Sequence, residues 1–147
     1  SNLGTDLIMN LCADEETMPD ASGMGEMVKP ELLKHFKPAF LGRMKIIPYY
    51  PITDDNMKLI IRLKLDRIAK RMQENRDVAF VYDDAVVDAI ADRCTDVDSG
   101  ARNADNIMTN TLLPEMSREL LSRQAQGEQI TQVIVSMDGE GFAYEIK

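Results

Sequence analysis

Tryptophan is absent, histidine occurs once and cysteine twice, and aromatic residues make up 5% of the 147 positions. Cys12 and Cys94 stand 82 positions apart, too few and too scattered for a disulfide framework. His35 by itself leaves too little material for a zinc site, so no metal is expected. No run approaches the roughly 20 apolar residues that cross a bilayer, and residues 1–20 lack the basic start and apolar centre of a signal peptide. A cytoplasmic protein without a membrane partner is the expectation. Positive charge is in short supply, with 17 Lys and Arg against 25 Asp and Glu, a net charge of −8 and a pI near 4.6. Nucleic acid is held mainly by neutralising its phosphates with cations, so this balance argues against it as a partner. What remains, 44% hydrophobic and 29% charged residues, is the composition of a globular domain or slightly more.

The chain opens without Met at Ser1-Asn2-Leu3-Gly4, which reads as an excised piece or a tag remnant. Residues 5–12 suit a short helix. The acids and breakers from Asp14 to Gly25 predict an exposed loop over 13–26, and Pro30 suits the first position of a helix that Pro38 ends. Lys45-Ile46-Ile47-Pro48-Tyr49-Tyr50 reads as a strand, at a sheet edge or irregular because Pro48 cannot donate to a ladder.

Stronger signals begin at Thr53, an N-cap for a helix carrying Met57, Ile61, Leu65, Ile68 and Met72 at helical spacing. Acid-first pairs Asp54–Lys58 and Asp66–Lys70 support it. Val78 to Tyr82 predicts a strand, and Asp83 or Asp84 caps a helix in which Val86, Val87, Ile90, Ala91 and Cys94 share a face. Asp96 to Gly100 reads as a loop. A further helix through Ala104, Met108 and Leu112 reaches Pro114, which kinks it or opens another that Gly127 closes. Ile130 to Met137 and Phe142 to Ile146 alternate around Asp138-Gly139-Glu140-Gly141, a hairpin signal. The pattern is an α+β unit over 53–147, preceded by a remnant over 1–52 whose strand lacks its neighbours.

Two arginines stand out. Arg102 follows Ser99-Gly100-Ala101 at a helix opening, where the macrodipole disfavours a cation by about 0.3–1 kcal/mol and favours an anion. A solvated arginine, or one paired with Asp96 or Asp98, fits the same spacing. Arg43, in Phe40-Leu41-Gly42-Arg43, is alone an ordinary surface residue. Gly23-Met24-Gly25 lacks the third glycine of a dinucleotide loop, Asp83-Asp84 reads as a helix cap, the methionines as core, and a His35–Cys94 nucleophile pair needs distant segments to converge.

Taken in order, Asn2 in Ser1-Asn2-Leu3-Gly4, Pro38 to Arg43, and Gly100-Ala101-Arg102 resemble the last part of the second AAA+ module of the ClpB-type ring ATPases, over essentially the whole chain. The resemblance implies an α/β large-subdomain remnant followed by a helical small subdomain with a short mixed sheet and a C-terminal hairpin. It implies Asn2 as sensor 1, Arg43 as an arginine finger acting in trans and Arg102 as sensor 2 in cis. It implies ATP or ADP with Mg in the full-length protein, and homo-hexamer neighbours as partners. Met44-Lys45 after the finger and Asn103-Ala104-Asp105-Asn106 after Gly-Ala-Arg depart from the general disaggregases. These continuations, with the acidic insertion Cys12 to Pro19 and the run Leu41-Gly42-Arg43-Met44 to Pro48-Tyr49-Tyr50-Pro51, are similar to the type VI secretion branch, the ClpV ATPases, which thread and disassemble contracted secretion sheath through regions outside this segment. No Gly-x-x-x-x-Gly-Lys-Ser/Thr loop occurs and, with Asp83-Asp84 read as a helix cap, no strand ends in a Walker-B acid pair, so this segment is expected not to hydrolyse ATP alone. The alternatives are a general disaggregase of the same fold and a non-catalytic acidic interaction domain.

Overall fold

A computed structural model describes residues 2–14, 16–94 and 100–147. Two compact units result, Ser1–Pro51 and Ile52–Lys147.

In the first unit, helix α1 spans Thr5–Leu11, α2 spans Ala21–Leu33 and α3 spans Pro38–Leu41. The loop expected over 13–26 therefore ends early. Asp20 accepts a hydrogen bond from the Gly23 amide at 2.7 Å, and this cap starts α2. Met24 and Val28, four apart, are buried. That burial offsets the roughly 1 kcal/mol that a helical glycine costs, so Gly23 and Gly25 do not break the helix. Pro30 lies inside α2 rather than at its first position. Pro38 does not end that helix but opens α3 at its first turn, where a missing amide hydrogen is no loss. The strand expected over 45–50 is absent, and residues 44–53 form neither helix nor strand. Pro48 and Pro51 remove amide donors there, and the Tyr50 hydroxyl instead donates to the Pro19 carbonyl at 3.1 Å.

The second unit begins with α4, Asp54–Arg76, whose Thr53 cap accepts from the Asn56 amide at 3.3 Å. Met57, Ile61, Leu65 and Met72 form its buried stripe. Lys58 pairs with Asp54 at 3.5 Å and with Asp88 at 2.8 Å. Asp66 does not pair with Lys70; it accepts from the Tyr82 hydroxyl at 2.7 Å, and Lys70 reaches Glu74 instead. Strand β1, Ala79–Tyr82, leads to α5, Asp84–Asp92, capped by Asp83 through the Val86 amide at 3.0 Å. The loop expected from Asp96 lies mostly outside the described residues. Helix α6, Gly100–Ile107, runs through a π-helical turn, Met108–Leu112, into α7, Leu113–Ala125. Pro114 cannot donate to the carbonyl four residues back, and the backbone widens there so that the Leu113 amide donates to Met108. Gly127, at φ 80°, closes α7, its amide donating to the Gln124 carbonyl at 3.0 Å and that of Glu128 to Arg123 at 3.2 Å.

Strands β2, Gln132–Asp138, and β3, Gly141–Ile146, pair antiparallel around Gly139-Glu140, and β1 lies parallel to β2, giving the sheet order β1-β2-β3. Val133 faces Ile146, Val135 faces Tyr144 and Met137 faces Phe142. One face of the sheet buries Phe80, Val133, Val135 and Ile146 in a core shared with Ile61 and Leu65 of α4, Ile90 of α5, and Ala104, Leu112 and Met116 beyond it.

Candidate functional site

Arg102 sits in the first turn of α6. Gly100 opens the helix at φ 39° with no atom near a hypothetical Cβ, a backbone conformation that favours glycine. Ala104 and Met108 face the core, and this turns the Arg102 side chain to solvent. It has no ion-pair or hydrogen-bond partner among the described residues. Asp96 and Asp98, the pairing candidates, lie outside them.

The residues around Arg102 are tied down. Asn103 donates through Nδ2 to the Arg93 carbonyl, and Asp105 pairs with Lys64 of α4. The Arg93 guanidinium donates to the Glu140 carbonyl in the hairpin turn and lies over the Phe142 ring, 5.5 Å from its centroid. Asn103 and Asp105 thus join α6 to α4 and to the end of α5. Nothing in the local sequence marks Arg93, because its partners stand 47 and 49 positions downstream.

In the first unit, Arg43 follows α3. Leu41, 5% exposed, anchors that helix, and the Arg43 amide donates to the Phe40 carbonyl at 3.1 Å. Its side chain is exposed and has no carboxylate within ion-pair distance among the described residues. Asn2 precedes α1, and its carbonyl accepts from the Thr5 hydroxyl at 2.6 Å and the Thr5 amide at 3.3 Å. Gly4, at φ 82°, allows close approach to α2, since a Cβ there would meet Val28 Cγ1 at 2.8 Å. No hydrogen bond joins Asn2 to Arg43 among the described residues.

Each of these exposed guanidiniums, without a carboxylate partner among the described residues, is by itself suited to an anion such as a phosphate oxygen. Among the described residues no cluster of His, Cys, Asp and Glu could hold a metal. The Cys94 thiol is buried and pushed up by that burial, which disfavours the thiolate a nucleophile needs. No helix among the described residues is long and apolar enough to cross a membrane.

The model of the C-terminal, D2-small domain of ClpB protein matches residues 52–134. The AAA+ ATPase ClpV1 of Pseudomonas aeruginosa is 47% identical over 99% of this chain and 16% of its own length. The chaperone protein ClpB of Yersinia enterocolitica is 40% identical over 82% of the chain and 14% of its own. The chain therefore spans about a sixth of the length of these relatives. Among solved structures, a closed-state cryo-EM reconstruction of Hsp104 with ATPyS and FITC casein superposes over 99% of this chain and 24% of that one, with a TM-score of 0.71 at 22% identity. At that identity the likeness is one of fold.

Proposed function

The chain belongs to the ClpB D2-small domain family and corresponds to the C-terminal part of an AAA+ module, and from that premise we propose that it serves a hexameric ATP-driven protein-remodelling motor. The observation that carries this reading is the 47% identity to AAA+ ATPase ClpV1 across 99% of the chain. Within it, residues 1–52 are the end of the large subdomain and 53–147 the small subdomain. The substrate of the motor is contracted type VI secretion sheath, engaged by regions outside this segment.

Phosphoryl transfer spreads negative charge over the terminal phosphate oxygens, and catalysis is largely positioning and charge stabilisation. Arg43 presents its guanidinium to the nucleotide of a neighbouring subunit, and Arg102 presents its own to the nucleotide of its subunit. Asn2, ahead of α1, is sensor 1. Arg102 rides on α6, which Asn103 and Asp105 fasten to the rest of the second unit. A pull on Arg102 is thereby passed to the whole unit, a hinge closure about residues 50–53 that becomes a mechanical stroke. The nucleotide brings Mg, which residues outside this chain hold.

The test is made in the full-length ring. Arg43→Ala and Arg102→Ala each lower turnover, and mixing each with subunits that bind ATP but lack the Walker-B acid separates them. An Arg43→Ala site still fires with a finger from the inactive neighbour, whereas an Arg102→Ala site stays impaired whatever its neighbour. The expected loss is on the order of a thousandfold. Turnover within about twofold of the parent, under roughly 0.5 kcal/mol in barrier, overturns both roles. The 40% identity to a ClpB chaperone favours a second reading, a general disaggregase. Reactivation of aggregated protein without sheath disassembly would select it.

A further inference from the structure

A groove of about 220 Å³ runs between the C-terminal half of α4 and α7. Met72, Met116 and Leu120 line it, and Leu121 at its lip is 59% exposed. Small-molecule sites span about 300–1,000 Å³, so this volume is closer to that of a bulky side chain. Arg71 and Arg76 also line it, and among the described residues no carboxylate does. On α4, Lys58, Arg62, Lys64 and Lys70 all have acidic partners. Arg71 and Arg76 have none among the described residues, nor does Arg67 outside the groove. On a chain of net charge −8, this is an apolar slot edged by uncompensated positive charge.

The complementary surface is in the same sequence. Asp14-Glu15-Glu16-Thr17-Met18-Pro19-Asp20 holds four acids, and no Lys or Arg precedes Lys29. Met18 is 40% exposed in the middle of these acids. The described residues on either side of Met18 are hydrogen-bonded: Asp14 accepts from the Glu16 amide at 3.0 Å, the Pro19 carbonyl accepts from Tyr50, and Asp20 caps α2.

We infer that the α4–α7 groove receives the acidic loop of a second copy of this chain, with Met18 entering the slot and the flanking carboxylates facing Arg71 and Arg76. An unbranched thioether side chain adapts to an irregular apolar slot, and the charges around it set the register of the contact and make it salt-sensitive. The inference rests on the self-assembly in the proposed function and not on nucleotide turnover.

The probe is a fluorescein-labelled synthetic peptide of residues 13–21, titrated into the 147-residue chain, with NMR shifts read at Met116 and Leu120. Binding is expected at the groove. Met18→Ser in the peptide, or Arg71→Ala with Arg76→Ala in the chain, should weaken it about tenfold or more, the loss typical of an anchor residue. Sedimentation equilibrium of the chain should show self-association that the same substitutions reduce, and that a mixture of Arg71→Glu and Glu16→Arg chains partly restores. No peptide binding, or binding indifferent to these substitutions, overturns the inference while leaving the ring ATPase reading in place. A chain that binds the peptide yet stays monomeric, or whose loop reaches the groove independently of concentration, overturns the second copy as the occupant.

Discussion

The Tyr144 hydroxyl of β3 stands 3.2 Å from the carbonyl of Leu112, the last residue of the π-helical turn, and 3.0 Å from a carboxylate oxygen of Glu115 in α7. The widened backbone before Pro114 and the C-terminal hairpin are thereby pinned to each other. Tyr144→Phe keeps the ring but removes the one phenol proton, which only one of these two acceptors can take at a time. The expected cost is about 0.5–1.5 kcal/mol, read as a fall of a few degrees in Tm, with the helix content of the folded protein unchanged. A Tm equal to that of the parent would mean that this hydrogen bond makes no net contribution.

Stability should fall in alkali. Burial and the Asp66 carboxylate push Tyr82 up to about 12, and burial with Glu115 raises Tyr144 further. Both phenols are neutral in both states below the usual tyrosine pKa of about 10, so their contribution is fully present there. Above that pH the unfolded chain releases these protons first, and the contribution is lost as pH rises toward the folded values. Urea unfolding at a series of pH values from about 9 to 11 should show a decreasing free energy. The slope should flatten in a Tyr82→Phe, Tyr144→Phe double variant.

Hydrogen exchange should be fastest before Thr53. The buried apolar side chains of the first unit are Met24, Val28 and Leu41, whereas the second unit's core joins α4, α5, α6, α7 and the sheet. Local opening is easiest where few apolar contacts must be broken. Slow exchange confined to residues 2–52 would contradict this distribution of stability.

The isolated chain should show no ATP turnover above background. It carries no phosphate-cradling Gly-Lys-Ser/Thr loop in its sequence, and among its described residues no acidic cluster could hold a metal. Dose-dependent hydrolysis by a highly purified sample, abolished by Arg102→Ala, would overturn this expectation.

Much of the second unit is written in local chemistry. Thr53 and Asp83 cap their helices as their positions predict, Met57, Ile61, Leu65 and Met72 of the predicted stripe are buried while Ile68 is only partly so, and the alternating residues around Gly139 pair as a hairpin. Capping, periodicity and turn preferences act within a few residues, so a linear reading can find them. The first unit is less legible. Gly23 and Gly25 signal a loop and Pro30 a helix start, yet α2 runs through all three, and the β-rich residues 45–50 form no strand.

The sequence by itself determined the helix and hairpin signals of the second unit, and it set Asn2, Arg43 and Arg102 in the order that carries the resemblance to ring ATPases. Only the tertiary structure decided that Asp66 meets Tyr82 rather than Lys70, and that Arg93 links the hairpin turn to the approach of α6. It also left Arg71 and Arg76 without a carboxylate partner among the described residues, beside an open groove. The physical reason is distance along the chain. A side chain's choice between a neighbour four residues away and a partner many residues downstream depends on which groups packing brings within hydrogen-bond reach, and burial and strand register set that, not local spacing.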